Sequence, residues 1–154
     1  MIHWGFIGCG NVTEKKSGPA FGKVKGSGVA AVMRRNAELA KDYAMRHNIN
    51  KWYSDAHALI NDNDVTAVYV STPPGSHAEY AIAAMKAGKP VYVEKPMAAS
   101  YEECVAMSEV ANETGVPCFV AYYRRTLPYF LRVKQLLKSR EIGEPGEVKI
   151  RFII

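Results

Sequence analysis

Close to the amino terminus, the apolar run Ile2–Ile7 leads into Gly8-Cys9-Gly10-Asn11-Val12-Thr13. A glycine at Gly8 permits a tight turn, and one at Gly10 lets backbone approach a diphosphate closely. A helix opening at Asn11 and Val12 would aim its first N–H groups at the same anion. The position of the usual third glycine holds Thr13. That departure weakens the motif, because a side chain there is expected to hold helix and strand further apart. In isolation the segment also reads as a structural turn with two glycines. The strand-like run before it and a second one, Val29–Met33, at βαβ distance favour nucleotide binding.

The second run ends in Met33-Arg34-Arg35-Asn36, with no acid. NAD sites usually place Asp or Glu here, on the adenosine ribose 2′-hydroxyl. A guanidinium instead suits a 2′-phosphate, since it offers a planar fork of donors and a permanent charge. Arg34 and Arg35 therefore favour NADP, with NAD retained as the alternative. Two solvated arginines at a helix start are the competing reading, but cations there oppose the helix dipole. Lys15 and Lys16 read as solvent-facing. Cys9, Cys104 and Cys118 are odd in number and lack metal-ligand spacing, so free thiols are expected and no metal site.

These residues need a scaffold, and the rest of the chain supplies its pattern. Strand-like runs at Ile2–Ile7, Val29–Met33, Val65–Val70, Pro90–Glu94 and Cys118–Ala121 alternate with helix-like segments. The helices are expected over Ala37–His47, Asp55–Asn61, Ser76–Ala87, Ser100–Thr114 and Pro128–Ser139. Ala40, Tyr43, Ala44 and His47 share one helical face. Ser54 or Asp55 caps the second helix. Ser100 and Glu103 form a capping box on the fourth, whose expected buried stripe is Tyr101, Cys104, Val105 and Ser108. Gly88 and Gly115 end two helices. Such alternation implies parallel pairing through right-handed crossovers, hence an α/β, doubly wound, Rossmann-type sheet. Gly146–Ile154 reads as one more strand with nothing after it.

Composition narrows the class. Hydrophobic residues at 48% and charged residues at 23% match a globular domain. No apolar run approaches the ~18 residues of a membrane helix, and no leader is evident, so a cytoplasmic protein is expected. The net charge of +5 raises nucleic acid as a partner, but the lysines and arginines are dispersed and no aromatic–basic signature accompanies them. Neither nucleic acid nor membrane is therefore expected as a partner.

Four strand-end segments carry a resemblance. They are Gly8-Cys9-Gly10-Asn11, Ser71-Thr72-Pro73-Pro74-Gly75-Ser76-His77, Ala87-Gly88-Lys89-Pro90-Val91-Tyr92-Val93-Glu94-Lys95-Pro96, and Tyr123-Arg124-Arg125 with Pro128. Together the chain resembles the glucose–fructose oxidoreductase/inositol dehydrogenase (Gfo/Idh/MocA) family over essentially its whole length. The Glu-Lys-Pro element is the most specific part. The resemblance implies a Rossmann domain over residues 1–122 that binds NAD or NADP. It also implies that residues 123–154 are a linking helix and the first strand of a truncated α+β substrate domain. A homo-oligomer and a sugar-like substrate are implied for the whole protein.

The resemblance also assigns residues. Lys95 is the candidate catalytic residue, near nicotinamide and the substrate hydroxyl, and the Lys95–Pro96 bond is a candidate cis peptide. Hydride transfer from a carbinol requires the hydroxyl proton to leave, and a lysine can accept it, relay it or stabilise the alkoxide. An isolated Glu-Lys would otherwise read as a surface ion pair, but the C-terminal end of a parallel strand is where ligands bind in this fold. Glu94 is expected to position Lys95 or touch the nicotinamide ribose. Ser71, Thr72 and Pro73 are expected to line the ribose and nicotinamide side. His77 joins the cofactor-side set, with capping or packing favoured over base catalysis. Arg124 or Arg125 matches the family's arginine near the entrance, with Arg124 joining the cofactor-binding set and the other structural. The implied activity is an NADP-preferring dehydrogenase acting on a sugar, polyol or related compound. An NAD-dependent glycosidase and a non-catalytic dinucleotide sensor are the alternatives.

Overall fold

The computed structural model describes residues 1–151. It divides into a unit spanning Met1–Ala121 and a second beginning at Tyr122. In the first, six strands form one parallel sheet: β1 (Ile2–Ile7), β2 (Ser27–Met33), β3 (Lys51–Tyr53), β4 (Ala67–Val70), β5 (Val91–Val93) and β6 (Cys118–Val120). Their order is β3-β2-β1-β4-β5-β6, so the chain reverses direction across the sheet between β1 and β4. Helices α1 (Asn11–Lys15), α2 (Gly18–Phe21), α3 (Ala37–Arg46), α4 (Ala56–Ile60), α5 (His77–Lys86) and α6 (Tyr101–Thr114) provide the crossovers.

Alternation along the strands sends side chains to two separate cores. Ile7, Met33, Val68, Val70, Val91 and Val93 pack under α4, α5 and α6, against Leu59, Ala84, Met85 and Met107. On the opposite face Phe6, Val32 and Tyr69 meet Phe21, Tyr43 and Ala44 from α2 and α3. Both faces are thus covered, which is why β4 has four buried residues in a row.

Local signals explain the helix limits. Asn36 caps α3 by accepting from the Leu39 amide at 3.0 Å. Asp55, not Ser54, caps α4 by accepting from Ala58 at 2.8 Å. Ser100 accepts from the Glu103 amide, and Glu103 reaches back to the amide of Ala99. Gly88 and Gly115 take positive φ just past α5 and α6.

Three expectations are corrected. Lys51–Tyr53 is a strand that the sequence reading passed over, so the sheet has six strands and not five. It is a three-residue edge strand with one partner, too short to show a period. The buried stripe of α6 runs through Met107, with Cys104, Val110 and Ala111 packed beside it. Tyr101 and Ser108 face solvent, because the helix is rotated by about one residue from the expected stripe. Residues 146–151 carry no strand; an extended segment needs a neighbour to complete its backbone pairs, and none of the described strands provides one. The last three residues of that expected strand, 152–154, lie outside the described residues. The second unit holds a 3₁₀ turn at Tyr123–Thr126, where Arg124 and Arg125 stand, and α7 (Pro128–Ser139).

Candidate functional site

The reversal between β1 and β4 leaves a crevice at the C-terminal ends of the strands, where doubly wound sheets bind ligands. An open cleft of about 530 Å³ occupies it. Its walls come from the β1–α1 turn (Gly8, Cys9, Gly10), the β2–α3 connection (Met33 to Asn36, with Leu39), the end of β4 (Ser71 to Pro73, with Ser76) and α5 (Glu79, Tyr80).

The turn is built by glycine where nothing else fits. Gly8 has φ of +96°, and a Cβ on it would stand 2.7 Å from the Thr72 nitrogen. At Gly10 a Cβ would meet nothing closer than the Gly8 oxygen at 4.0 Å. Gly10 is therefore spared a side chain by the open space beside it rather than by crowding within the fold.

The loop amides are more committed than its glycines suggest. Gly8 and Cys9 both donate to the Met33 carbonyl, at 2.9 and 3.2 Å. Gly10 donates to the Thr13 hydroxyl at 2.9 Å, and that hydroxyl in turn bonds the Gly10 carbonyl. Among the described residues, the amides of Asn11, Val12 and Thr13 have no acceptor. Free backbone amides of the turn are thus confined to the start of α1.

Thr13 also resolves the missing third glycine. It is fully buried. The close approach is transferred to Gly18, whose missing side chain leaves room for the Thr13 carbonyl.

Arg34 and Arg35 lie between β2 and the Asn36 cap, upstream of α3 rather than within its first turn. Both are exposed, and neither joins an ion pair among the described residues. No carboxylate stands among the residues between β2 and α3. The acid on the cleft wall, Glu79, comes from α5. Cys9 is buried, and burial pushes its thiol up to about 11 despite the nearby Arg34 charge. Burial therefore disfavours its thiolate form.

The end of β5 carries Glu94 and exposed Lys95, joined to Pro96 by a cis peptide as the resemblance implies. Neither Glu94 nor Lys95 lines the cleft itself. The Glu94 amide donates to the Val70 carbonyl at 2.9 Å, which sets it beside the Ser71–Pro73 wall. His77 is buried and also off the cleft wall. Its Nε2 lies 2.7 Å from the Thr72 carbonyl and its Nδ1 2.9 Å from that of Pro96. It braces the β4 end against the segment that carries Lys95. Ser71 donates to the Gly8 carbonyl at 3.1 Å, tying the β4 end to the glycine turn.

Four contributors escaped the sequence reading: Leu39, Glu79 and Tyr80 on the cleft wall, and Tyr69 beneath it. Tyr69 carried a usable signal, since a tyrosine inside a strand buried on both faces must find a partner for its hydroxyl.

A six-stranded parallel sheet of this order, with a glycine turn at β1 and a cleft across the reversal, defines a dinucleotide-binding Rossmann domain. The chain belongs to the Gfo/Idh/MocA oxidoreductase family, whose NAD-binding Rossmann-fold model matches residues 2–122. It is 47% identical over 151 residues to an oxidoreductase of Formosa agariphila, covering 98% of this chain and 47% of that protein. A scyllo-inositol 2-dehydrogenase (NAD(+)) of Bacillus subtilis is 38% identical over 106 residues, 69% of this chain and 31% of the relative. Among solved structures, an oxidoreductase of Agrobacterium radiobacter in complex with NAD+, L-tartaric acid and magnesium superposes with a TM-score of 0.83. It is 30% identical and covers 94% of this chain and 42% of that one. A 3-ketoreductase of Actinomadura kijaniata in complex with TDP-benzene and NADP gives the same score and identity, over 93% and 44%. The chain spans about half the length, or less, of the curated relatives it matches. No described helix is long and apolar enough to cross a membrane, and no metal-binding cluster occurs among the described residues.

Proposed function

We propose that this chain is the nucleotide-binding part of an NADP-preferring dehydrogenase acting on a sugar, polyol or related hydroxyl or carbonyl compound. The observation that carries the cofactor preference is the β2–α3 wall: two unpaired guanidinium groups and no carboxylate where an NAD ribose would need one. In this reading the 2′-phosphate lies against Arg34 and Arg35. The diphosphate crosses the open face of Gly10 toward the α1 amides, and the nicotinamide end passes Ser71, Thr72 and Pro73 toward Glu94 and Lys95.

A bound nicotinamide would accept or donate the hydride. The chain itself would supply binding and a proton site. On oxidation of a carbinol, Lys95 as the neutral amine would accept or relay the hydroxyl proton, and the bound nicotinamide would supply the hydride acceptor. His77 and the Pro96 carbonyl hold the segment on which Lys95 stands. The relatives' names support the substrate class, since inositol 2-dehydrogenases and a 1,5-anhydro-D-fructose reductase are among them.

Two mononucleotides test the preference directly. Adenosine 2′,5′-bisphosphate is expected to bind at least about tenfold more tightly than adenosine 5′-phosphate, reflecting charge-assisted bonds to guanidinium. Equal affinities would overturn the NADP assignment.

A further inference from the structure

Register places Phe6 opposite Tyr69 on the neighbouring strand, and Tyr69 opposite Tyr92. With Phe21 these rings form an aromatic layer on the α2 face, with centroid separations from Tyr69 of 5.2 Å to Phe6, 4.9 Å to Phe21 and 5.7 Å to Tyr92. Packing accounts for the rings. It does not account for the hydroxyl of Tyr69, which is fully buried and would be costly without partners. A phenylalanine would fill nearly the same space with no polar atom to satisfy.

The hydroxyl has two partners, Glu94 Oε1 at 2.7 Å and Ser17 Oγ at 2.8 Å. A phenol has one proton, and an ionised carboxylate only accepts. The proton therefore goes to Glu94, and the Ser17 hydroxyl donates to the phenol oxygen at 2.8 Å in preference to the Val12 carbonyl at 3.3 Å. Burial holds the Tyr69 phenol well above its ordinary range, so it stays a neutral donor. The other carboxylate oxygen of Glu94 accepts from the Lys95 amide at 3.2 Å. Glu94 joins no ion pair among the described residues. Both of its oxygens thus accept from neutral donors. Of about four lone-pair positions on a carboxylate, these two contacts leave about half open.

We propose that Tyr69 is a positioning residue for the nicotinamide half of the site: its buried hydroxyl fixes Glu94 so that the carboxylate's free lone pairs accept from the nicotinamide-side ribose hydroxyls. This rests on the dinucleotide reading above. It adds a hydrogen-bonded line from Ser17, at the start of α2, along that face of the sheet to the end of β5.

The test compares Tyr69→Phe, Glu94→Gln, their double variant and Tyr92→Phe as a control that removes a neighbouring hydroxyl. NADPH is one probe; adenosine 2′,5′-bisphosphate, which ends before the second ribose, is the other. Tyr69→Phe is expected to weaken NADPH about five- to tenfold and the bisphosphate by less than about twofold, the scale of a hydrogen bond to a charged group acting at one remove. The double variant binds NADPH no more weakly than Glu94→Gln alone, because both changes break one contact. Tyr92→Phe changes neither affinity. Equal weakening of both probes by Tyr69→Phe, or additive losses in the double variant, would overturn the proposal while leaving the dinucleotide reading intact.

A second readout needs no nucleotide. The ¹³C resonance of the Glu94 carboxyl is expected to move in Tyr69→Phe and to stay in place in Tyr92→Phe. An unmoved resonance in Tyr69→Phe overturns the proposal. Failure of the unmodified chain to bind either probe overturns the dinucleotide reading, and the ribose contact with it, whatever the resonance does.

Discussion

A Cβ on Gly8 would stand 2.7 Å from the backbone nitrogen of Thr72 and 2.9 Å from the carbonyl carbon of Ser71. The ends of β1 and β4 therefore meet at a contact that only glycine permits, and the cleft opens directly above it. Gly8→Ala adds a clash with backbone to a positive φ, and should cost at least about 2 kcal/mol of stability. Gly10→Ala, which adds a methyl in open space, should stay within about 0.5 kcal/mol. Urea unfolding of the two variants checks the contrast; equal losses would contradict it.

Arg34→Asp should weaken NADP by at least about tenfold and NAD by less than about twofold, since charge repulsion at a 2′-phosphate replaces a charge-assisted bond. Paired titrations measure the ratio. An unchanged ratio would show that the 2′-phosphate lies elsewhere.

Lys95→Ala should separate chemistry from binding. In the dehydrogenase proposed above, turnover should fall by at least about 100-fold, the scale of a lost proton-transfer group. Nucleotide affinity should change by less than about twofold. Retained turnover would remove Lys95 from the mechanism.

Asp62 gives a pH signature away from the cleft. Its carboxylate accepts from Lys51 Nζ and from the Tyr53 hydroxyl, each at 2.9 Å. The Lys51 ammonium is the main cause of its depression from 3.8 to about 2, aided by the Asp64 amide and Tyr53. A carboxylate depressed on folding adds stability above the unfolded value, and that contribution fades as pH falls through the folded one. Wild-type urea midpoints should therefore decline from about pH 4 toward pH 2. Asp62→Asn should begin lower near neutrality and decline less steeply. Parallel curves would contradict the assignment.

The β1 strand, the glycine turn, the Asn36-to-Arg46 helix and the Pro128–Ser139 helix were legible because each carries its own punctuation: glycines, a capping side chain, a proline at the first turn. Arg34 and Arg35 were legible for the same local reason, following a readable strand. What stayed hidden depends on register between distant segments. Lys51–Tyr53 becomes a strand because β2 lies beside it. The α6 stripe could be read in two rotations, since Cys104 belongs to either, and packing on the sheet selects the one centred on Met107. Thr13 violated the glycine pattern, and its compensation by Gly18 is a contact between two turns. Tyr69 acts on Glu94 across adjacent strands, a pairing fixed by sheet order alone.

In the proposed binding mode a dinucleotide lies across the open face of Gly10 with its adenosine end at the two arginines. Calorimetric titration of the 154-residue chain with NADP, NADPH, NAD and NADH tests it most directly. One saturable site is predicted, at least about tenfold tighter for the 2′-phosphorylated pair, and lost for all four nucleotides in Gly10→Val. No binding heat from any nucleotide, or undiminished binding in Gly10→Val, would contradict it.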